Sequence, residues 1–116
     1  MLYGAMNFPI KPILDEIEDI AALGFDFLEL AMDPPNAHFS TIRDSRRQIQ
    51  SALDTHSMKL VCHLPTFVSI ADLTESIRSA SLNEMLNSLE VAAQLNALRT
   101  AIGGDATKEK EYSLEG

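Results

Sequence analysis

The sequence lacks most of the features by which a chain announces its chemistry. It has one cysteine, Cys62, so no internal disulfide can form and a reducing cytoplasm is the expected setting. Basic residues are scarce: nine Lys and Arg stand against seventeen Asp and Glu, giving a net charge of −8. That balance argues against unaided binding to a nucleic-acid backbone, which needs concentrated positive charge. Only Arg43, Arg46 and Arg47 come close together. No apolar run approaches the roughly 18 residues of a membrane span, so no membrane partner is expected. The opening MLYGAMNFP has no basic start followed by an apolar core, and no signal peptide is expected. GxGxxG, GxxxxGK[ST], GxSxG, HExxH and CxxC are all missing, which removes the commonest signatures of phosphate cradles, serine hydrolases, zinc proteases and redox dithiols.

What the chain does have is a regular alternation of short apolar segments and amphipathic ones. Hydrophobic residues make up 46 % and charged residues 22 %, ordinary values for a single globular domain of 116 residues. Leu2 to Met6 is expected as a first strand. The first helix runs from about Pro12 to Leu23, with acidic Asp15, Glu16 and Glu18 near its positive end and Gly24 as its stop. Ile13, Ile17, Ile20 and Ala21 form its apolar stripe.

Phe25 to Met32 is the second strand, ended by Asp33-Pro34-Pro35, since proline cannot continue a ladder. A second helix is expected over Thr41 to His56, with Ile42, Ile49, Ala52 and Leu53 inward and Arg43, Arg46, Arg47 and Gln50 outward. Leu60 to His63 is the third strand. The longest helix follows, opened by a capping-box spacing of Asp72 and Glu75. Its stripe is Ile77, Met85, Leu89 and Ala92, widened by Leu82, Leu86 and Ala93, and Asn96 is its cap. Leu98 to Ile102 is the fourth strand.

The order β-α-β-α-β-α-β implies parallel strands joined by right-handed crossovers. The fold class is α/β. Residues 2–104 form one domain of four parallel βα units, and 105–116 form a polar C-terminal tail. Two architectures fit: a small open sheet with helices on both faces, or half of a (β/α)8 barrel. A complete barrel takes about 250 residues. An isolated half exposes two edge strands and an inner face, so closure by homodimerisation or by a missing C-terminal half is expected.

From His63 to Gly104 the chain resembles the xylose-isomerase-like TIM barrel superfamily, which includes sugar-phosphate isomerases and epimerases and the endonuclease IV group. The residues that carry the resemblance are His63 and Pro65 as His-x-Pro, Ala71 before the helix, and Ile77, Arg78 and Ser81 at its start. Ala92, Ala93, Leu95 and Ala97 follow at its end. Upstream, GAMNFP and GFDFLELAMDPP match as first and second strands, so the resemblance spans about residues 2–104. It implies a metal-dependent enzyme acting on a small sugar or sugar phosphate, with a divalent ion such as Mn, Mg or Zn. Two positions depart from the pattern. Ile102 stands where metal-binding members supply a second ligand, usually His, and Asn7 stands where the endonuclease IV branch commonly has His. A weak or absent metal site is therefore expected in this chain.

His63 is the leading candidate, at the carboxyl end of a strand where such barrels place their chemistry. The resemblance makes it a metal ligand or a substrate-binding residue; the plainer alternative is a packed, hydrogen-bonded strand-end histidine. Glu29 is the catalytic candidate, a carboxylate that strand alternation leaves equally able to face the barrel mouth or the helices. Asn7 and Asp33 are candidate substrate contacts, with turn formation as the competing explanation. His38 and His56 are expected to be surface or capping residues. Cys62 is expected to point away from His63 as a small apolar residue. Arg78 is expected to serve the loop before its helix. Met6, Met32, Met58, Met85, Phe25, Phe27 and Phe67 are assigned to the core.

Three functional classes follow. The first is a sugar-phosphate isomerase/epimerase-like protein of half length. The second is a non-catalytic half-barrel that self-assembles. The third, disfavoured by the acidic charge and by Asn7 and Ile102, is an endonuclease IV-like enzyme.

Overall fold

The computed structural model describes residues 1–66, 68–95, 99–101 and 111–113. The elements follow the alternation of the sequence: β1 (Gly4–Met6), α1 (Ile13–Ala22), β2 (Phe27–Ala31), α2 (Phe39–Asp44), α3 (Arg46–Thr55), β3 (Lys59–His63), α4 (Glu75–Gln94), β4 (Arg99–Ala101) and β5 (Glu111–Ser113). The sheet order is β1-β2-β3-β4-β5. The first four strands are parallel, and β5 lies antiparallel on β4. Three residues of the segment read as a polar tail thus form a strand. Sequential parallel neighbours with helical crossovers are the arrangement of a partial TIM barrel.

The pleat sorts the strand residues. Leu28 and Leu30 of β2 and Leu60 and Cys62 of β3 are buried and join the core under the helices. Ile13, Ile17 and Ile20 of α1, Ile42 of α2, and Ile49 and Leu53 of α3 pack into the same cluster. Phe27, Glu29 and Ala31, with Lys59, Val61 and His63, alternate onto the opposite face. Gly4 permits the close approach of β1 to β2, because a Cβ there would overlap the Phe27 ring.

Helix boundaries have local causes. Pro12 precedes α1, and Gly24 (φ 85°) ends it by donating from its N–H to the Ala21 carbonyl, 3.0 Å. The single helix expected over Thr41 to His56 is two: Ser45, at φ −104° and ψ 13°, leaves helical geometry and separates α2 from α3. The capping box expected at Asp72 and Glu75 does not form. The helix begins at Glu75, too late for its side chain to reach back. Asp72 Oδ1 instead accepts from the Thr74 N–H at 2.8 Å, an Asx turn leading into the helix. Arg78 Nη1 donates to the Asp72 carbonyl at 2.9 Å, the loop-serving role expected of it.

The expected stripe of α4 holds in part: Met85 and Ala92 are buried and Leu89 packs against the core, with Ser81, Ser88 and Val91 buried beside them, whereas Leu82 and Leu86 are 49 % and 55 % exposed and Ile77 is exposed as well. Met6 is a further correction: it is 48 % exposed, because its register with Glu29 puts it on the face of the sheet away from the helices. Met32, Met58 and Met85 are buried as expected. Phe67, Asn96 and Ile102 lie outside the described residues.

Candidate functional site

Glu29 and His63 come together at the carboxyl ends of adjacent parallel strands. In the β2–β3 register Glu29 lies opposite Val61, and His63 opposite Ala31. The two are therefore diagonal neighbours on one face, within reach of long side chains. His63 Nε2 lies 3.1 Å from Glu29 Oε1. An ionised carboxylate can only accept, so Nε2 carries the proton and donates. The side chains are 15 % and 35 % exposed, leaving the carboxylate open to the strand mouth.

The other two predicted site residues are tied into the surrounding loops. Asn7 is buried; its Oδ1 accepts from the Ala31 N–H at 2.7 Å and its Nδ2 donates to the Ala31 carbonyl at 3.4 Å. It thereby extends the β1–β2 pairing past the last strand residue. Asp33 is also buried. Its Oδ1 accepts from the Thr66 N–H at 2.8 Å and its Oδ2 from the Thr66 hydroxyl at 3.1 Å. These two hydrogen bonds fix the loop after β2 to the loop after β3. Asn7 thus ties β1 to the end of the Glu29 strand, and Asp33 ties the loops that follow the strands of Glu29 and His63.

Several contributors had no signal in the sequence. Glu16, read as a helix-dipole residue, is buried in α1, and its Oε1 accepts from the Phe8 N–H at 2.6 Å. It anchors the loop after β1. The Asn36 N–H donates to the Pro9 carbonyl at 2.9 Å, joining that loop to the next. His38 caps α2, accepting from the Ser40 N–H at its Nδ1, 3.3 Å. Its Nε2 therefore carries the proton and meets Glu84 Oε2 of α4 at 2.7 Å. The capping role of His38 was legible as a turn-to-helix position; Glu84, 46 residues away, was not. His56 follows α3 and pairs with Glu18 of α1 at 2.8 Å.

Cys62 points away from His63, into the core, and burial pushes its thiol up to about 12 from the ordinary 9.0. It is an inert packing residue.

The family resemblance implies a divalent metal, and the donor set tests whether one fits. Glu29 supplies oxygen and His63 nitrogen, but a stable centre takes three or four ligands. Among the described residues no group of three or more His, Cys, Asp or Glu is placed to hold an ion. These residues do not by themselves make a metal centre, and Ile102, the expected departure from the ligand pattern, lies outside the described residues. Among the described residues, too, no helix is long and apolar enough to cross a membrane.

Known proteins bear on this geometry. No curated protein matches the chain. Among solved structures it is similar to a D-tagatose 3-epimerase-like protein, with a TM-score of 0.73 and 19 % identity over 86 % of this chain and 36 % of that one. It is also similar to the 3-keto-D-glucoside 4-epimerase from E. coli, with a TM-score of 0.65 and 20 % identity over 88 % of this chain and 36 % of that one. A D-psicose 3-epimerase gives a TM-score of 0.65 and 19 % identity, over 90 % of this chain and 37 % of the other. The chain thus spans little more than a third of the length of these structures, and at such identities the likeness is one of fold. A model of the xylose isomerase-like TIM barrel family matches residues 17–114. The match covers most of the chain and agrees with its parallel βα units, and the chain belongs to that family.

Proposed function

We propose that the chain carries one part of a sugar isomerase- or epimerase-type site, with Glu29 handling a proton and His63 binding a substrate oxygen. The observation that supports this reading most is the Glu29–His63 pair at the carboxyl ends of β2 and β3, 3.1 Å apart on one face. An isomerase or epimerase must take a proton from a carbon beside a carbonyl and return it. A positioned carboxylate is a suitable base, and the His63 Nε2–H that donates to it here is the group that would turn to the substrate oxygen when the sugar enters. Asn7 and Asp33 tie these strand ends and loops together, and the carboxylate of Asp33 can accept a substrate hydroxyl at its remaining lone pairs. The family's metal, were the remaining ligands supplied by further barrel strands, would polarise the carbonyl oxygen; His63 is the ligand this chain would offer. The epimerase neighbours favour small keto sugars as substrates.

Solvent-deuterium exchange tests the reading. D-fructose or D-tagatose incubated with the protein and Mn²⁺ or Mg²⁺ in D₂O should gain deuterium beside the carbonyl, read by proton NMR. Glu29→Gln should lower that rate by about 10²- to 10⁴-fold, the usual contribution of a general base. Equal exchange in the wild type and Glu29→Gln, or none above the protein-free control, rejects the assignment.

A second reading, a non-catalytic half-barrel that assembles with another copy, is favoured by a different observation. Apolar side chains stand exposed on both flanks: Met6, Phe8 and Ile10 beside β1, and Leu82 and Leu86 on α4. It predicts a dimer in sedimentation velocity.

A further inference from the structure

At the loops that follow β2 and β3 lies a cavity of about 260 Å³, lined by Asp33, Pro34, His38, Pro65, Val68 and Glu84. Its walls are continuations of the two strands that carry the site. Asp33 comes two residues after the end of β2, and Pro65 two residues after the end of β3. Asp33 also fastens these two loops together through Thr66.

The lining has two kinds of surface. Pro34, Pro65 and Val68 form an apolar wall, while His38, Glu84 and Asp33 bring polar groups that are already oriented. The His38–Glu84 bond at 2.7 Å fixes both side chains, and the Ser40 hydroxyl, 2.8 Å from Nδ1, holds the imidazole from its other side. Ser40 itself does not line the cavity, so the Ser40–His38–Glu84 chain presents no nucleophile to a ligand there. What it presents is a carboxylate and the edge of an imidazole, both immobilised. Apolar walls with a few fixed polar groups are the make-up of a small-molecule site. The volume falls below the roughly 300–1,000 Å³ of pockets for drug-sized ligands, which suits one small ring. Carboxylates accept hydroxyl protons, and a sugar ring's C–H face suits a wall of proline and valine.

We propose that this cavity is a subsite for a second, hydroxyl-rich unit, so that the ligand of this protein is a glycoside-like molecule with one sugar at Glu29 and His63 and another between His38, Glu84 and Pro65. The inference rests on the sugar-site reading above and extends it from a monosaccharide to a linked pair.

Amide NMR of the ¹⁵N-labelled chain separates the two ideas. The probes are D-fructose and isomaltulose, which is fructose bearing a glucosyl unit on O6. Isomaltulose should shift the amides of Ala37, His38 and Glu84 as well as those of Glu29, Ala31 and His63, and should bind about tenfold more tightly than fructose. Val68→Phe, which fills the cavity, should bring isomaltulose to within about twofold of fructose while leaving the fructose affinity unchanged. Glu84→Gln, which removes the charge and keeps the shape, should reduce the difference in the same direction. Shifts confined to the strand ends, with equal affinities for the two sugars, overturn the subsite and leave the proposed function standing. Shifts at the cavity alone overturn the linked-pair proposal and the Glu29–His63 assignment together. No shift with either sugar overturns both.

Discussion

Cys62 and His63 are chain neighbours that the pleat sends to opposite faces, the thiol under the helices and the imidazole to the strand mouth. The thiol gives a pH dependence whose sign is fixed. It is neutral when protonated, and the fold holds its proton more tightly than the unfolded chain does. Its contribution to stability is complete below 9.0 and is lost as pH rises towards about 12. The slope is about 1.4 kcal/mol per pH unit in that window. Urea unfolding followed by far-UV circular dichroism at pH 8.5 and 10.5 should show this loss in the wild type, and Cys62→Ala should lose correspondingly less between the same two pH values. Asp33 offers a second test at this scale. Asp33→Ala strands the Thr66 N–H in a part-buried site and should cost about 1–3 kcal/mol, read by the same unfolding experiment. The alternation that separates Cys62 from His63 was legible in the sequence. Whether Glu29 faced inward was not, because β2 is buried on one face and half-buried on the other, so composition alone does not fix its phase.

Among the elements, α4 departs furthest from its sequence reading. The expected stripe holds at Met85, Leu89 and Ala92 and fails at Ile77 and at the widening residues Leu82 and Leu86, which are exposed, while Ser81 and Ser88 are buried. Hydrophobicity placed the centre of the buried face but not its edges, where two serines take the inward positions. Ser88 is fully buried, and its hydroxyl has no hydrogen-bond partner among the described residues. Ser88→Ala removes an unsatisfied polar group and raises helix propensity, so it should be neutral or stabilise by up to about 1 kcal/mol. A loss of more than that in thermal or urea unfolding would mean the hydroxyl is satisfied after all. The α2–α3 break was invisible because Ser45 is an unremarkable residue for either a helix interior or a cap; tertiary packing of two short helices decides it. Gly24 was read correctly for a simple reason: its φ of 85° is open to glycine and costly to others. Gly24→Ala should cost about 1–2 kcal/mol in urea unfolding.

For the whole molecule, the order of strands and helices could be read from the alternation of periods, and the family resemblance added the barrel. The partners of the flanks could not, since an apolar side chain at a surface has the same signature as one in a core. The exposed leucines of α4 now supply the test of assembly. If they stay in water, Leu82→Glu with Leu86→Glu should change stability by no more than about 0.5 kcal/mol per substitution. If they pack against a second copy, the same pair of changes should convert a dimer to a monomer in sedimentation velocity.

The antiparallel strand Glu111–Ser113 gives the sheet a direction of growth. A cylinder of parallel strands is built by adding one more parallel ladder at each open side, and β4 has already given its free side to β5. A newcomer arriving there meets a strand running the other way. It must displace those three residues or continue the sheet antiparallel, which a barrel of this type does not do. The β1 side carries no such stop. A further parallel strand could therefore join this sheet beside β1 without displacing a neighbour, but beside β4 only by displacing Glu111–Ser113.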